Sequence, residues 1–274
     1  MIQLDSKTLR QLQMIELEML IEVNRICKKC GIHYTIIAGT MLGAVRHGGF
    51  IPWDDDADIG MLRSEYEKFR IACENELDSS RFYFQDNRNT KGYRWGYGKL
   101  RRKGTVFTRE FQEHMPYEQG VFIDIFPMDG IPDNYLHRCI HNFHCFCIRK
   151  ILWSEVGKKA DKRWWMRIWL GLMSNIPENI IFSHYEKFIK KSNQKKTKLV
   201  RMLMFPSPTK DFGYYRKWYQ QLEPVLFEGY KLSGMKDRDE YLFWTYGDYM
   251  QLPPQDKRKV HPVSEIKLVD LDAE

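Results

Sequence analysis

Pro52-Trp53-Asp54-Asp55-Asp56-Ala57-Asp58-Ile59-Gly60 places four carboxylates within five residues, flanked by apolar or small side chains. Such a cluster repels itself unless a cation holds it together. If residues 57–61 run as a strand, Asp56 and Asp58 share a face, because side chains alternate with period two. Two hard oxygen ligands on one strand face suit Mg²⁺, which takes one or two protein carboxylates and completes its shell with substrate phosphates. The competing reading is a solvated acidic turn, and the flanking sequence decides between them.

Upstream, Leu9, Leu12, Ile15, Met19, Val23 and Ile26 recur at three- and four-residue spacing, which predicts a core-facing helix over 6–29 with Gly31 as its C-cap. Tyr34-Thr35-Ile36-Ile37-Ala38 reads as a buried strand broken by Gly39-Thr40, with a short helix over 41–46. Gly48-Gly49 and Pro52 then mark a turn into the acidic strand. Downstream, residues 64–77 read as a helix in which Ser64 and Glu67 form a capping box. Strands are expected at 82–85, 94–100 and 105–108, with Gly104 at a hairpin turn. Val121-Phe122-Ile123-Asp124-Ile125-Phe126 is a further strand, ended by Pro127. Asp124 interrupts its apolar run, and a carboxylate there is costly unless it is paired or bound to metal.

The bulk properties permit an enzyme of this kind. The chain has 274 residues, 43% apolar and 14% aromatic, enough for a large core. Lys and Arg outnumber Asp and Glu by 43 to 36, a net charge of +7, so an acidic cluster sits in a surface that attracts anions. Met1-Ile2-Gln3-Leu4-Asp5 lacks the features of a signal peptide, and no run reaches the ~18 apolar residues of a membrane span. The six cysteines are expected as reduced thiols. Cys27-Lys28-Lys29-Cys30 ends a helix with no second such pair, and the spacing of His137, Cys139, His141, His144, Cys145 and Cys147 fits no common zinc finger. After Pro132 the sequence turns helical, basic and Trp-rich to about 195, and 199–274 mixes short strands with a helix near 237–246. The organisation expected is an α+β, mixed α/β, core over 1–130 and a mainly helical extension and cap over 131–274.

Together these elements bring a glycine after a strand, the start of a helix, two carboxylates on one strand and a third on another. Backbone amides at a helix start bind phosphate. Three carboxylates can hold two divalent ions, about 3.5–4 Å apart, that clamp an in-line displacement at phosphorus. The third can also accept the proton of an attacking hydroxyl.

The stretch from Ala38-Gly39-Thr40 through Arg46-His47-Gly48-Gly49-Phe50-Ile51-Pro52-Trp53-Asp54-Asp55-Asp56-Ala57-Asp58 resembles the signature of the LicD family. That family includes bacterial phosphocholine transferases and is related to fukutin and fukutin-related protein. Lys99-Leu100-Arg101, Gly104-Thr105-Val106-Phe107, Phe122-Ile123-Asp124-Ile125-Phe126-Pro127 and Tyr246-Gly247-Asp248-Tyr249-Met250-Gln251-Leu252-Pro253-Pro254 extend the resemblance over most of the chain. It implies a nucleotidyltransferase-like core, a mixed β-sheet flanked by helices. It implies transfer of a phospho-alcohol from a CDP-activated donor, CDP-choline or another CDP-alcohol, to a glycan hydroxyl with release of CMP. Asp56, Asp58 and Asp124 match the catalytic, metal-binding carboxylates for two Mg²⁺ ions, with Mn²⁺ as a substitute, and Asp54 belongs to the same acidic run. Gly39 and Thr40 match the superfamily's glycine turn. Arg46, Lys99 and Arg101 are expected to face phosphate, and Trp53 to pack beside the acidic strand or stack on cytosine.

Other readings compete. Lys99 and Arg101 could form a solvated strand face. The same carboxylates would serve a nucleotidyltransferase using an NTP, or the chain could be a silent glycan- or membrane-binding module. No nucleic-acid module is recognisable. Tryptophans and basic residues interleave over 148–176, which suggests peripheral contact with an anionic membrane and a lipid-linked acceptor; helix packing with a basic rim is the alternative. The expected location is cytoplasmic, at the inner face of the plasma membrane.

Overall fold

A computed structural model describes residues 2, 4–207, 209–258 and 260–271. Met1, Gln3 and Lys259, of the N-terminal reading and the basic tail, lie outside the described residues. The chain is α+β, with a seven-stranded mixed sheet at its centre. Helix α1 (Ser6–Cys30) opens with Asp5 accepting from the Thr8 amide at 2.7 Å and closes on Gly31 at φ +64°. Its apolar stripe is buried as its spacing requires, each such side chain contributing roughly 1.5–3 kcal/mol before entropy is counted.

Strand β1 (Thr35–Ile36) pairs antiparallel with β2 (Asp58–Leu62). Between them α2 runs from Ala38 to His47. The sequence expectation is corrected here: the strand stops before Ala38, and Gly39 and Thr40 lie inside the first helical turn. The Tyr241 hydroxyl takes the Ala38 amide at 3.0 Å, which ends the ladder early. Helix α3 (Arg63–Glu76) also differs, because Ser64 is not its cap. Leu62 holds that position without a side-chain bond, and Glu67 is drawn instead to Arg63 and Arg88.

Strand β3 (Phe82–Gln85) pairs with β4 (Gly98–Arg102), and β4 pairs with β6 (Phe122–Gly130). β4 therefore starts four residues later than expected. Gly104 does turn, at φ +75°, but β5 (Val106–Arg109) leaves the sheet to pair with β11 (Val263–Lys267), so there is no β4–β5 hairpin. Pro127 does not end β6. It falls after the β4 pairing finishes at Ile125 and before β7 (Leu199–Arg201) joins at Asp129, where that edge of the strand needs no donor.

The later half begins with three helices, α4 (Tyr135–Ala160), α5 (Trp164–Ser174) and α6 (Glu178–Ser192). β7 and β8 (Tyr214–Tyr215) then extend the main sheet. The hairpin β9 (Leu222–Phe227) and β10 (Tyr230–Met235) and helix α7 (Arg238–Tyr246) complete the chain before β11.

Candidate active site

The parallel pairing of β2 with β6 sets Asp58 directly beside Asp124, and the antiparallel pairing of β4 with β6 sets Lys99 on Asp124's other side. Residues in register on adjacent strands point to the same face. Three strands thus deliver a carboxylate, a carboxylate and an ammonium in one row. Lys99 and Asp124 form an ion pair with both side chains largely buried, and the Lys99 ammonium lies 3.3 Å from the centroid of the Phe122 ring. Arg101 and Arg109 also reach that ring, at 5.0 and 5.5 Å. Burial pushes the Lys99 ammonium down to about 8, against the pull of Asp124.

Asp54, Asp55 and Asp56 enter the site on a turn held from below by α1. Gln13 donates to the carbonyls of Ile51 and Asp54 at 3.1 and 2.9 Å. Helix α2 fixes the next residues: the Thr40 hydroxyl accepts the Asp58 amide at 2.8 Å, and Ile37 donates to the Asp58 carbonyl at 3.1 Å. Gly39 lets the Asp54 carboxylate come close, since a Cβ there would stand 2.6 Å from one of its oxygens and would push that side chain aside. The glycine-threonine pair therefore braces the acidic run as well as opening a helix towards it.

The carboxylates are not equivalent. Burial, reinforced by Asp56 and Asp55, pushes Asp54 up to about 8. Burial with neighbouring carboxylates also raises Asp58 well above the usual range, and burial raises Asp56. Asp55 goes the other way. Burial opposes its charge, but His261 and the Arg109 guanidinium outweigh that and hold it below the usual range. Arg109 Nη1 is 2.5 Å and His261 Nδ1 2.9 Å from Asp55, and His261 is 3.6 Å from Asp56. The hydrogen bond to Asp55 raises His261 above its ordinary value. Asp55, Arg109 and His261 were not among the sequence-derived site residues. Asp55 carries the same motif signal as its neighbours, whereas Arg109 and His261 arrive through the β5–β11 pairing.

Asp56 separates two clefts. One, of about 900 Å³, is lined by Gly39, Arg46, Trp53, Asp54, Asp58 and the returning segment from Tyr246 to Arg258. The other, of about 480 Å³, is lined by Lys99, Arg101, Arg109, Phe122, Asp124 and His261. Arg46 donates to the Tyr249 carbonyl at 2.8 Å, tying that segment down, and half-buried Trp53 packs edge-on to His47 with Arg258 4.5 Å from its ring centroid. Lys99 and Arg101 are buried, so the solvated-face alternative is corrected: Arg101 is engaged by Gln85 and the Gly120 carbonyl, both at 2.6 Å.

The donor set fits a divalent cation by its chemistry. Asp54, Asp56 and Asp58 are hard oxygen donors whose affinity for protons is raised first by burial, reinforced at Asp54 and Asp58 by the neighbouring carboxylates. Their side chains are not yet a cage. Among the described residues no three His, Cys, Asp or Glu side chains are gathered to hold a metal, and Lys99 stands beside Asp124. The same holds for the histidine-cysteine tract on α4, where His141 bonds Ser192 at 3.0 Å and His144 meets His184 at 2.7 Å.

An α+β domain whose sheet aligns carboxylates beside a helix start, with buried cations on the far side, defines the class: a transferase site suited to phosphate-bearing groups. The chain belongs to the LicD/FKTN/FKRP family, whose nucleotidyltransferase-domain model matches residues 31–179. It is similar to the lipopolysaccharide cholinephosphotransferase LicD of Haemophilus influenzae, 28% identical over 94% of this chain and 97% of that protein. Shorter matches are human ribitol 5-phosphate transferase FKRP, 44% identical over 13% of this chain and 7% of that protein, and the Rickettsia prowazekii protein RP689, 48% identical over 16% of each.

Proposed function

We propose that this protein is a Mg²⁺-dependent phosphotransferase that moves phosphocholine, or a closely similar phospho-alcohol, from a CDP-activated donor to a hydroxyl of a cell-surface glycan or its lipid-linked precursor, at the cytoplasmic face of the membrane. The observation that carries this reading is the in-register row of Asp58, Asp124 and Lys99 beside Asp56. Similarity along nearly the whole chain to a cholinephosphotransferase supports it.

In this reading Asp56 and Asp58, with Asp54 and Asp124 adjoining, would hold two Mg²⁺ ions. Those ions would neutralise the donor diphosphate and polarise its phosphorus. The acceptor hydroxyl attacks the phosphorus that carries the alcohol, the bond from that phosphorus to the oxygen of CMP breaks, and CMP leaves with the electron pair. Asp124 accepts the hydroxyl proton, while Lys99, itself seated on the Phe122 ring, fixes its carboxylate. In the first turn of α2 the Ala38 amide is taken by the Tyr241 hydroxyl and the Met41 amide by the Ile37 carbonyl, which leaves the amides of Gly39, a lining residue of the cleft, and Thr40 to suit a phosphate oxygen. Arg109 and His261 hold Asp55 and thereby set the direction of the acidic turn.

The domain's family description also names nucleotidyl transfer, which the same carboxylates could serve. Purified protein is incubated with Mg²⁺ and CDP-choline, CDP-ribitol, CDP-glycerol or CTP, with a glycan acceptor. Acceptor-dependent CMP release from a CDP-alcohol is expected. Pyrophosphate release from CTP alone would replace the transfer reading with nucleotidylation, and release of neither would end both.

A further inference from the structure

Helix α5 is attached to α4 by one side only. Leu170 is its single buried residue, and it packs towards Gly157. Arg167 donates to the Lys158 carbonyl at 3.1 Å and Lys158 to the Ser174 hydroxyl at 3.3 Å, so the two helices are fixed to each other. The opposite side is a stripe of large apolar residues turned to solvent: Trp164 is 73% exposed, Ile168 58% and Leu172 62%, with Trp165 and Trp169 beside them. The spacing i, i+4, i+8 keeps the three in line along the helix.

Charge accompanies this stripe. Between 155 and 174 the sequence carries Lys158, Lys159, Lys162, Arg163 and Arg167 against Glu155 and Asp161, five cations less two anions, or +3, and Lys158 pairs with Glu155 at 2.7 Å. Asp161 is itself engaged by Arg163 at 2.8 Å. An apolar face edged by cations matches the anionic headgroup layer of a bilayer, where tryptophan sits at the interface and Lys and Arg meet lipid phosphates. A second copy of this chain is a poorer occupant, because the same net positive edge would face itself across a two-fold axis. At eleven residues α5 is about 16 Å long, and no helix among the described residues is long and apolar enough to cross a membrane.

We infer that α5 lies in the plane of an anionic membrane surface, with Trp164, Ile168 and Leu172 inserted among the headgroups and the surrounding Lys and Arg on lipid phosphates. The face is preformed, so docking needs no folding. This surface stands independently of the proposed reaction.

The full chain is floated with vesicles of phosphatidylcholine alone or with phosphatidylglycerol added. Flotation is expected with the anionic vesicles at low salt and should weaken about tenfold in high salt, as screening removes the lysine and arginine contribution. Brominated lipid should quench the tryptophan emission of the wild-type chain. The double variant Ile168→Glu, Leu172→Glu should lose flotation while its melting temperature and its CMP release with a soluble acceptor stay at the wild-type level. Absence of flotation on anionic vesicles at low salt overturns the inference, as does flotation unchanged in the double variant. A stable wild-type dimer in sedimentation, dispersed by the same substitutions, would assign the face to a second copy instead. Loss of flotation with CMP release retained separates failure of this surface from failure of the transferase reading.

Discussion

Cations meet aromatic rings in two parts of this protein, with opposite results. Around Phe122, Lys99, Arg101 and Arg109 share one ring, and Lys99 and Arg101 are buried with a side-chain partner each. On α5 and the turn before it, Arg163 lies 5.2 Å from the Trp165 ring centroid, but the tryptophans stay in water. The difference is the scaffold. Neighbouring strands fix their side chains in register, so a charge on β4 must meet a charge on β6. A helix packed by one face leaves its outer residues free. The sheet turns these residue types into a fixed electrostatic geometry, and the helix turns them into an adhesive surface.

Substitutions in and beside the sheet should act in proportion to how directly each side chain serves the site. The largest effect is expected from Asp58→Ala or Asp56→Ala, which should lower CMP release about 1,000-fold or more by removing a carboxylate proposed to hold Mg²⁺. The fold should survive, since each change relieves repulsion within the acidic run. Turnover within tenfold of wild type in either variant would sink the metal assignment. Asp124→Asn should be comparably inactive and still bind the cytidine donor in a thermal-shift titration, because its proposed task is proton acceptance.

Lys99→Met tests the fixed pairing itself. Removing one partner of a largely buried ion pair leaves the other charge unmatched, a loss of roughly 3–5 kcal/mol in comparable cases. A substantial fall in melting temperature and a drop in CMP release of about 10–100-fold are expected. A wild-type melt would mean that Asp124 finds another partner, and the row of three strands would lose its significance. Asp55→Asn should act more mildly. It weakens the bonds to Arg109 and His261 without emptying the site, so a loss of about tenfold in CMP release is expected, near 1.4 kcal/mol.

How far the sequence disclosed this site depends on how each residue reaches it. Asp58 and Asp124 stood out because carboxylates beside β-branched and small apolar residues are costly without a purpose, and the sheet sets them in register; Asp56 lies before β2, so the strand period expected to align it with Asp58 does not reach it. Gly39 and Thr40 were read as the break after a strand, but the strand ends at Ile36 and both lie inside α2, where the Thr40 hydroxyl is spent on the Asp58 amide. Arg109 and His261 were hidden, because β5 and β11 pair across more than 150 residues and neither strand carries a pattern naming its partner. Ser64 and Pro127 misled for a related reason. Local capping and proline rules describe a chain alone, and here the neighbouring charges and a gap in edge pairing override them.

The gentlest test reads the acidic run through stability. Asp54 is raised from the usual carboxylate value to about 8, and Asp56 and Asp58 are raised with it. A group whose folded-state affinity for protons exceeds its unfolded one contributes stability below its unfolded pKa and loses it as pH passes the folded one. In EDTA the melting temperature should therefore fall as pH rises from about 5 to 8, by roughly 3–6 °C. Lys99, lowered to about 8, runs the other way, but only above that pH; His261, raised by its bond to Asp55, adds to the fall within this window and His141, lowered to about 4, opposes it, so the carboxylate share is read from a variant. Asp58→Asn should flatten the slope relative to wild type. Added Mg²⁺ should raise the melt more at pH 8 than at pH 5, because only ionised carboxylates bind it. Equal Mg²⁺ effects at both pH values, with a slope unchanged in Asp58→Asn, would show that these side chains do not act together. The sheet site would then be no more than a place where charges are stored, as they are along α5.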